Sequence, residues 1–117
     1  MKDDFLTRFR LVNVKRAETI FHTYNNAGPE YMALAACGEC GEIANLVKKA
    51  WRKRIGGPNI GHSVKIGSDF KEKLIDEIGG TLIYLDLLSS MYDLSLEEII
   101  TITFNRVSDE LNTDLKL

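Results

Sequence analysis

A chain of 117 residues, 44% hydrophobic and 27% charged, has the size and mix of one globular domain, which excludes disorder and collagen-like order. A formal charge of -2 gives no overall attraction for nucleic acid or an anionic membrane, so neither is expected as a partner. The charged start MKDDFLTRFRLVNVKR has no signal-peptide core and no window reaches the roughly 18 apolar residues of a membrane span, so the expected location is cytoplasmic, where Cys37 and Cys40 stay reduced.

Phe9, Val12, Ala17, Ile20, Phe21 and Tyr24 recur at spacings of three and four and predict a first amphipathic helix over Thr7 to Tyr24, closed by NNAGP. Pro29 suits the first turn of a second helix, where its missing N–H is no loss, and YMALAACGECGEIANLVKKAWRKR continues it. IGGPNIGHSVKIGS, about 55–68, is glycine-rich and aperiodic and reads as a long exposed loop. Asp69 and Glu72 resemble a cap and its return partner, opening a third helix over Phe70 to Tyr92 that is expected to be the most buried. Ser95 and Glu98 form a second capping box before Leu96, Ile99, Ile100, Ile102, Thr103 and Val107, a last helix fraying near Asn112. The β-branched run Ile99 to Phe104 resembles a strand, but the capping box favours helix. The expected architecture is a single all-α domain, 1–117, of four helices.

The stretch CGECGE holds a CxxC, Cys37 and Cys40, interleaved with an ExxE, Glu39 and Glu42. At about 100° per residue the cysteines fall on one apolar side of the second helix with Ala33, Ala44 and Val47, and the glutamates fall on the other with Ala35 and Leu46. A helix apolar all round is expected to be buried, which puts the carboxylates in a semi-enclosed interior where a cation offsets their repulsion. The thiols lack the partners of a zinc site and the strand of a thioredoxin-type motif, and are expected to pack in a helix interface. Trp51 projects on the same side and is expected to pack there too. A metal or redox module built on the cysteines is the less favoured reading.

Asp76 and Glu77 in KEKLIDEIGGTLIYLDLL supply a second acidic element. The series GECGEIANLVKK, DEIGGTLIYLDLLSS and LSLEEIITITFNRVSDE resembles, from about Leu34 to Glu110, the MazG-like all-α nucleoside triphosphate pyrophosphohydrolases. In that family ExxE and ExxD hold magnesium, or manganese in its place, on a nucleoside triphosphate that water splits to a monophosphate and pyrophosphate. The resemblance implies that Glu39 and Glu42 are the ExxE, with a catalytic role for both, and that Glu77 is the glutamate of ExxD. Gly80 stands where the family has its aspartate. Asp76, one turn earlier and displaced by about 6 Å along the axis, is the candidate replacement.

Lys48, Lys49, Arg52, Lys53 and Arg54 form a basic run that suits a helix C-terminus, and Lys49 falls near the side of Glu42. The resemblance makes Lys49, Asn105 and Arg106 candidate phosphate contacts, Tyr84 a residue near the nucleotide and His22 a lining of the base pocket. It also implies a four-helix bundle completed as a homodimer or dimer-based tetramer, which two apolar sides on the second helix suggest independently. Because of Gly80, a catalytically degenerate nucleotide-binding or protein-interaction module is the alternative.

Overall fold

The structure, a computed structural model, describes residues 4–21, 23–55 and 68–117. Among these there is no strand, and the helices are α1 (Phe5–Arg16), α2 (Thr23–Asn26), α3 (Pro29–Ile55), α4 (Ser68–Ser90) and α5 (Leu96–Glu110). The all-helical class therefore follows the sequence expectation. The expected single first helix does not: after Arg16 the backbone widens into a π-helical turn over Ala17–Phe21, and a short α2 follows. A hydrophobic period cannot reveal that change, because one inserted residue shifts the face without removing it. The loop expected at about 55–68 lies in its central part, 56–67, outside the described residues, as do His22 and His62.

No helix among the described residues is long and apolar enough to cross a membrane. The chain divides into two compact units, one formed by Met1–Pro29 with Asp86–Leu117 and the other by Glu30–Leu85.

In the first unit, α1 begins at Asp4, whose carboxylate accepts from the Leu6 and Thr7 amides at 2.8 and 3.2 Å and from the Thr7 hydroxyl at 2.9 Å. The Thr7 bonds hold the Asp4 carboxyl below its ordinary value, since they are made to its ionised form. Ala17 and Leu87 supply buried apolar surface, and Asn13, Asp86 and Ser108 are buried polar residues of the same unit. Asp86, only 1% exposed, accepts from Arg10 Nε at 2.7 Å and from Asn13 Nδ2 at 3.0 Å. Arg10 Nη2 also donates to the Leu94 carbonyl at 2.7 Å. One side chain of α1 thus ties the end of α4 to the turn that follows it.

That turn closes α4 with Asp93 at a φ of 57°, while the Leu94 amide reaches back to the Ser89 carbonyl at 3.0 Å. Helix α5 ends in the same way, with Asn112 at 54° and the Thr113 amide on the Ser108 carbonyl at 3.0 Å. Asp and Asn tolerate the left-handed conformation that glycine usually supplies at this position. The start of α5 is as expected: Ser95 Oγ accepts from the Glu98 amide at 3.1 Å, and the β-branched run is helical. The start of α4 is not. Asp69 lies inside the first turn and pairs with Lys73 at 3.2 Å instead of capping from outside.

Among the described residues of the second unit, Met32 and Ala36 of α3 are the buried apolar ones. The expectation of a fully buried α3 is corrected, whereas α4, with Asp86 and Leu87 buried and most of its other described residues partly covered, is as expected the most buried of the described helices. Cys37, Cys40, Val47 and Trp51 are exposed on α3, as are Ile75, Ile78, Leu82 and Leu85 on α4. Local pattern identifies apolar sides but not how many of them one chain can cover.

Candidate functional site

Every carboxylate of the two acidic elements belongs to the second unit. On α3, Glu39 lies on the partly covered side and Glu42 on the open side, almost one turn further along. On α4, Glu77 is partly covered and its neighbour Asp76 is exposed. The carboxylates consequently border solvent, which corrects the expected semi-enclosed interior.

Glu39 and Glu77 meet. Their carboxyl groups come within hydrogen-bonding reach of each other, a contact that favours the protonated form of Glu77. Hydrogen bonding to Glu39 is the largest reason the Glu77 carboxyl is held above its ordinary value of 4.5, followed by loss of solvation and by the charges of Glu39, Glu42 and Asp76. The structure therefore brings all four acidic residues within electrostatic reach of one point on α4.

The approach depends on Gly80. A Cβ built there would lie 3.0 Å from Glu39 Oε2 and 3.1 Å from its Cδ, closer than ordinary contact. The residue read as a missing ligand is also the clearance that lets the Glu39 carboxyl lie against α4. Gly79, beside it, meets nothing within 4 Å, so the clearance belongs to one position of the GG pair. The Thr81 hydroxyl donates to the Glu77 carbonyl at 2.8 Å and fastens the α4 backbone at this level.

Tyr84 belongs to the same neighbourhood. Its hydroxyl is pushed above its ordinary value by burial first, then by Tyr31 and by the charge of Glu39. Lys49 is exposed on α3, two turns beyond Glu42 and near its side. Asn105 and Arg106 belong to the other unit, where both have local partners. The Asn105 amide donates to the Leu117 carbonyl at 3.3 Å and accepts from the Leu117 amide at 2.9 Å, and Arg106 pairs with Glu110 at 2.5 Å. Lys116, which pairs with Asp109, completes this return of the C-terminal residues onto α5.

Among the described residues no three His, Cys, Asp or Glu side chains are gathered closely enough to hold a metal ion. The donor set is a two-carboxylate seat, Glu39 with Glu77, flanked by Glu42 and Asp76. Such a seat suits magnesium, which keeps several waters and takes one or two protein carboxylates plus substrate phosphates. It does not suit structural zinc, which requires four protein ligands. Comparison with protein-family models, curated proteins and solved structures gives no match.

Two features escaped the sequence reading. Asp86 stands in the run YLDLL, where an acid between leucines is a signal of a buried partner, and Arg10 with Asn13 supplies it. The clearance at Gly80 leaves no sequence signal, because it depends on the neighbouring helix.

Proposed function

We propose that the chain is a magnesium-dependent nucleoside triphosphate pyrophosphohydrolase of MazG-like architecture. The observation that carries the reading is the pairing of Glu39 and Glu77 across two helices, with Glu42 and Asp76 within electrostatic range. Like charges so arranged are unfavourable without a proton or a cation, and the sequence resemblance names Glu39, Glu42 and Glu77 as metal ligands. When bound with substrate, magnesium, or manganese in its place, neutralises triphosphate charge and acidifies a water.

The chain's residues then have these roles. Glu39 and Glu77 offer the coordinating oxygens, and Asp76 supplements them in place of the absent aspartate. The attacking water splits the α–β anhydride, yielding nucleoside monophosphate and pyrophosphate, while its proton passes to Glu42 or to a Glu39 oxygen left free. Lys49 balances phosphate charge and Tyr84 borders the nucleotide. Asn105, Arg106 and His22 retain their proposed substrate roles from the resemblance alone. The working form is a homodimer or dimer-based tetramer in the cytoplasm.

The test is pyrophosphate release from a panel of standard and modified nucleoside triphosphates with magnesium. Turnover of at least one supports the reading, and binding without turnover supports the second reading, a nucleotide-binding or interaction module. That alternative is favoured by the lack of a three-ligand cluster among the described residues. Gly80→Asp is expected to increase magnesium affinity and turnover, since it restores a carboxylate where only the mobile end of Glu39 must move. Unchanged metal affinity and rate in that variant would exclude position 80 from the seat.

Stability against pH offers a test without substrate. A carboxyl raised in the fold contributes stability that is complete below the ordinary glutamate value and is lost as pH rises through the raised one. Without metal, the Glu77 contribution is therefore expected to decline on passing from pH 4 into its raised range. Magnesium competes with that proton, so its stabilising effect is expected to grow across the same window. A thermal shift with magnesium that is equal at acid and neutral pH would count against Glu77 as a ligand.

A further inference from the structure

The charge of -2, from which no nucleic-acid partner is expected, is a difference between unevenly placed groups. Between Glu42 and Asp69 the sequence holds six lysines and arginines and no acid, which leaves nine cations elsewhere against all 17 acidic residues. Four of the six, Lys48, Lys49, Arg52 and Lys53, are exposed on the last turns of α3. Lys48 Nζ donates to Asn45 Oδ1 at 3.1 Å, and no carboxylate among the described residues pairs with any of the four. A helix C-terminus attracts cations only within its last turn, which accounts for Arg52 and Lys53 but not for Lys48 and Lys49.

Trp51 stands among these cations. It is the chain's one tryptophan, and it is 49% exposed where the sequence predicts packing against a neighbouring helix. At about 100° per residue, Lys48 and Arg52 fall on one line, roughly opposite the side of α3 that holds the buried Met32 and Ala36. Trp51 projects beside that line, between Lys48 and Val47. The face turned furthest from the covered side is therefore cationic at its centre and aromatic at its edge.

That order of groups selects the partner. A helix lying on an anionic membrane puts apolar residues at the centre of the contact and cations at its margin, the reverse of what α3 presents. A duplex offers phosphates but keeps its bases stacked on one another, which leaves Trp51 without a role. A single strand offers both kinds of group: successive phosphates for two cations about 6 Å apart along the helix, and base faces that stack on an aromatic ring.

We propose that the C-terminal turns of α3 bind single-stranded nucleic acid, with Lys48 and Arg52 on successive phosphates and a base stacked on Trp51. Lys49 and Lys53 add positive potential from the adjoining side of the helix. The inference does not rest on the catalytic reading, because this surface uses neither Glu39 nor Glu77 and its test contains no nucleoside triphosphate and no magnesium.

The lone tryptophan makes the test specific to this surface. The whole chain in EDTA is titrated with oligothymidylate and with oligouridylate of about 12 nucleotides, a length within the usual range of single-strand sites. Quenching of Trp51 fluorescence is expected, and the strand that quenches at lower concentration identifies the preferred sugar. Log affinity against log salt is expected to fall with a slope of about -3, as four cations on a single strand require, and of about -1.5 in Lys48→Gln/Arg52→Gln. With labelled strands, Trp51→Ala is expected to bind about tenfold more weakly, and Trp51→Phe to keep most of the affinity. Absence of quenching by both strands overturns the proposal. So does binding of duplex DNA or inorganic polyphosphate as tight as that of the strands, or Trp51 emission that responds to phosphatidylserine vesicles alone. If a variant fails to fold, the quenching of the unaltered chain decides.

Discussion

Asp86→Ala is expected to lower the stability of the fold by about 3–5 kcal/mol, the range for breaking a buried ion pair by removing one partner. The change removes the acceptor of two donors, Arg10 Nε and Asn13 Nδ2, and leaves the Arg10 guanidinium without its countercharge at a partly buried position. Because domains of this size retain only about 5–15 kcal/mol in total, the loss is large enough to shift a urea unfolding midpoint strongly. Asp86→Asn is expected to cost less, since it keeps an acceptor and most of the shape. Arg10→Ala/Asp86→Ala is expected to cost less than the two single changes together, because neither charge is then left alone. An Asp86→Ala loss below about 1 kcal/mol would show that the node contributes no more than an exposed pair.

Under the proposed function, Glu39→Gln is expected to lower kcat/KM for triphosphate hydrolysis by on the order of 100-fold, as loss of a group stabilising transition-state charge does. Its effect without substrate is different in kind. The amide removes the negative charge that contributes to the rise of Glu77, so the Glu77 titration, followed by carboxyl NMR, is expected to move down toward the ordinary glutamate range. The two readouts separate the claims: a lowered Glu77 value with unchanged turnover would retain the carboxyl pair and remove its catalytic role. An unchanged Glu77 value would remove the pair itself.

Much of the helical architecture was legible because its causes are local. Pro29 at the start of α3, Ser95 with the Glu98 amide at the start of α5, and the three-and-four spacing between them each involve residues within one or two turns. The π-helical turn after Arg16 was not legible, since an extra residue in a helix preserves its amphipathic appearance. Asp69 illustrates the same limit at a boundary: its side chain is a good cap, yet the helix begins before it.

For the candidate site, the residue types in ExxE and DExxG were readable, and so was their placement on different helices. Which glutamates meet was not. Spacing alone ranks Glu39 with Glu42, whereas the structure pairs Glu39 with Glu77 and leaves Glu42 exposed nearby. The cysteines were read correctly as belonging to an apolar side but incorrectly as covered, because coverage within a chain depends on the number of neighbours, not on the row itself.

By itself, then, the sequence determined the helices, their apolar rows and the supply of carboxylates, because each rests on interactions within a few residues along the chain. Only the tertiary structure decided that Asp86 is a buried anchor for Arg10 and that Gly80 is a space occupied by Glu39. The reason is physical: a buried charge and a missing Cβ acquire their meaning from atoms supplied by another helix, and no periodicity in one helix specifies those atoms.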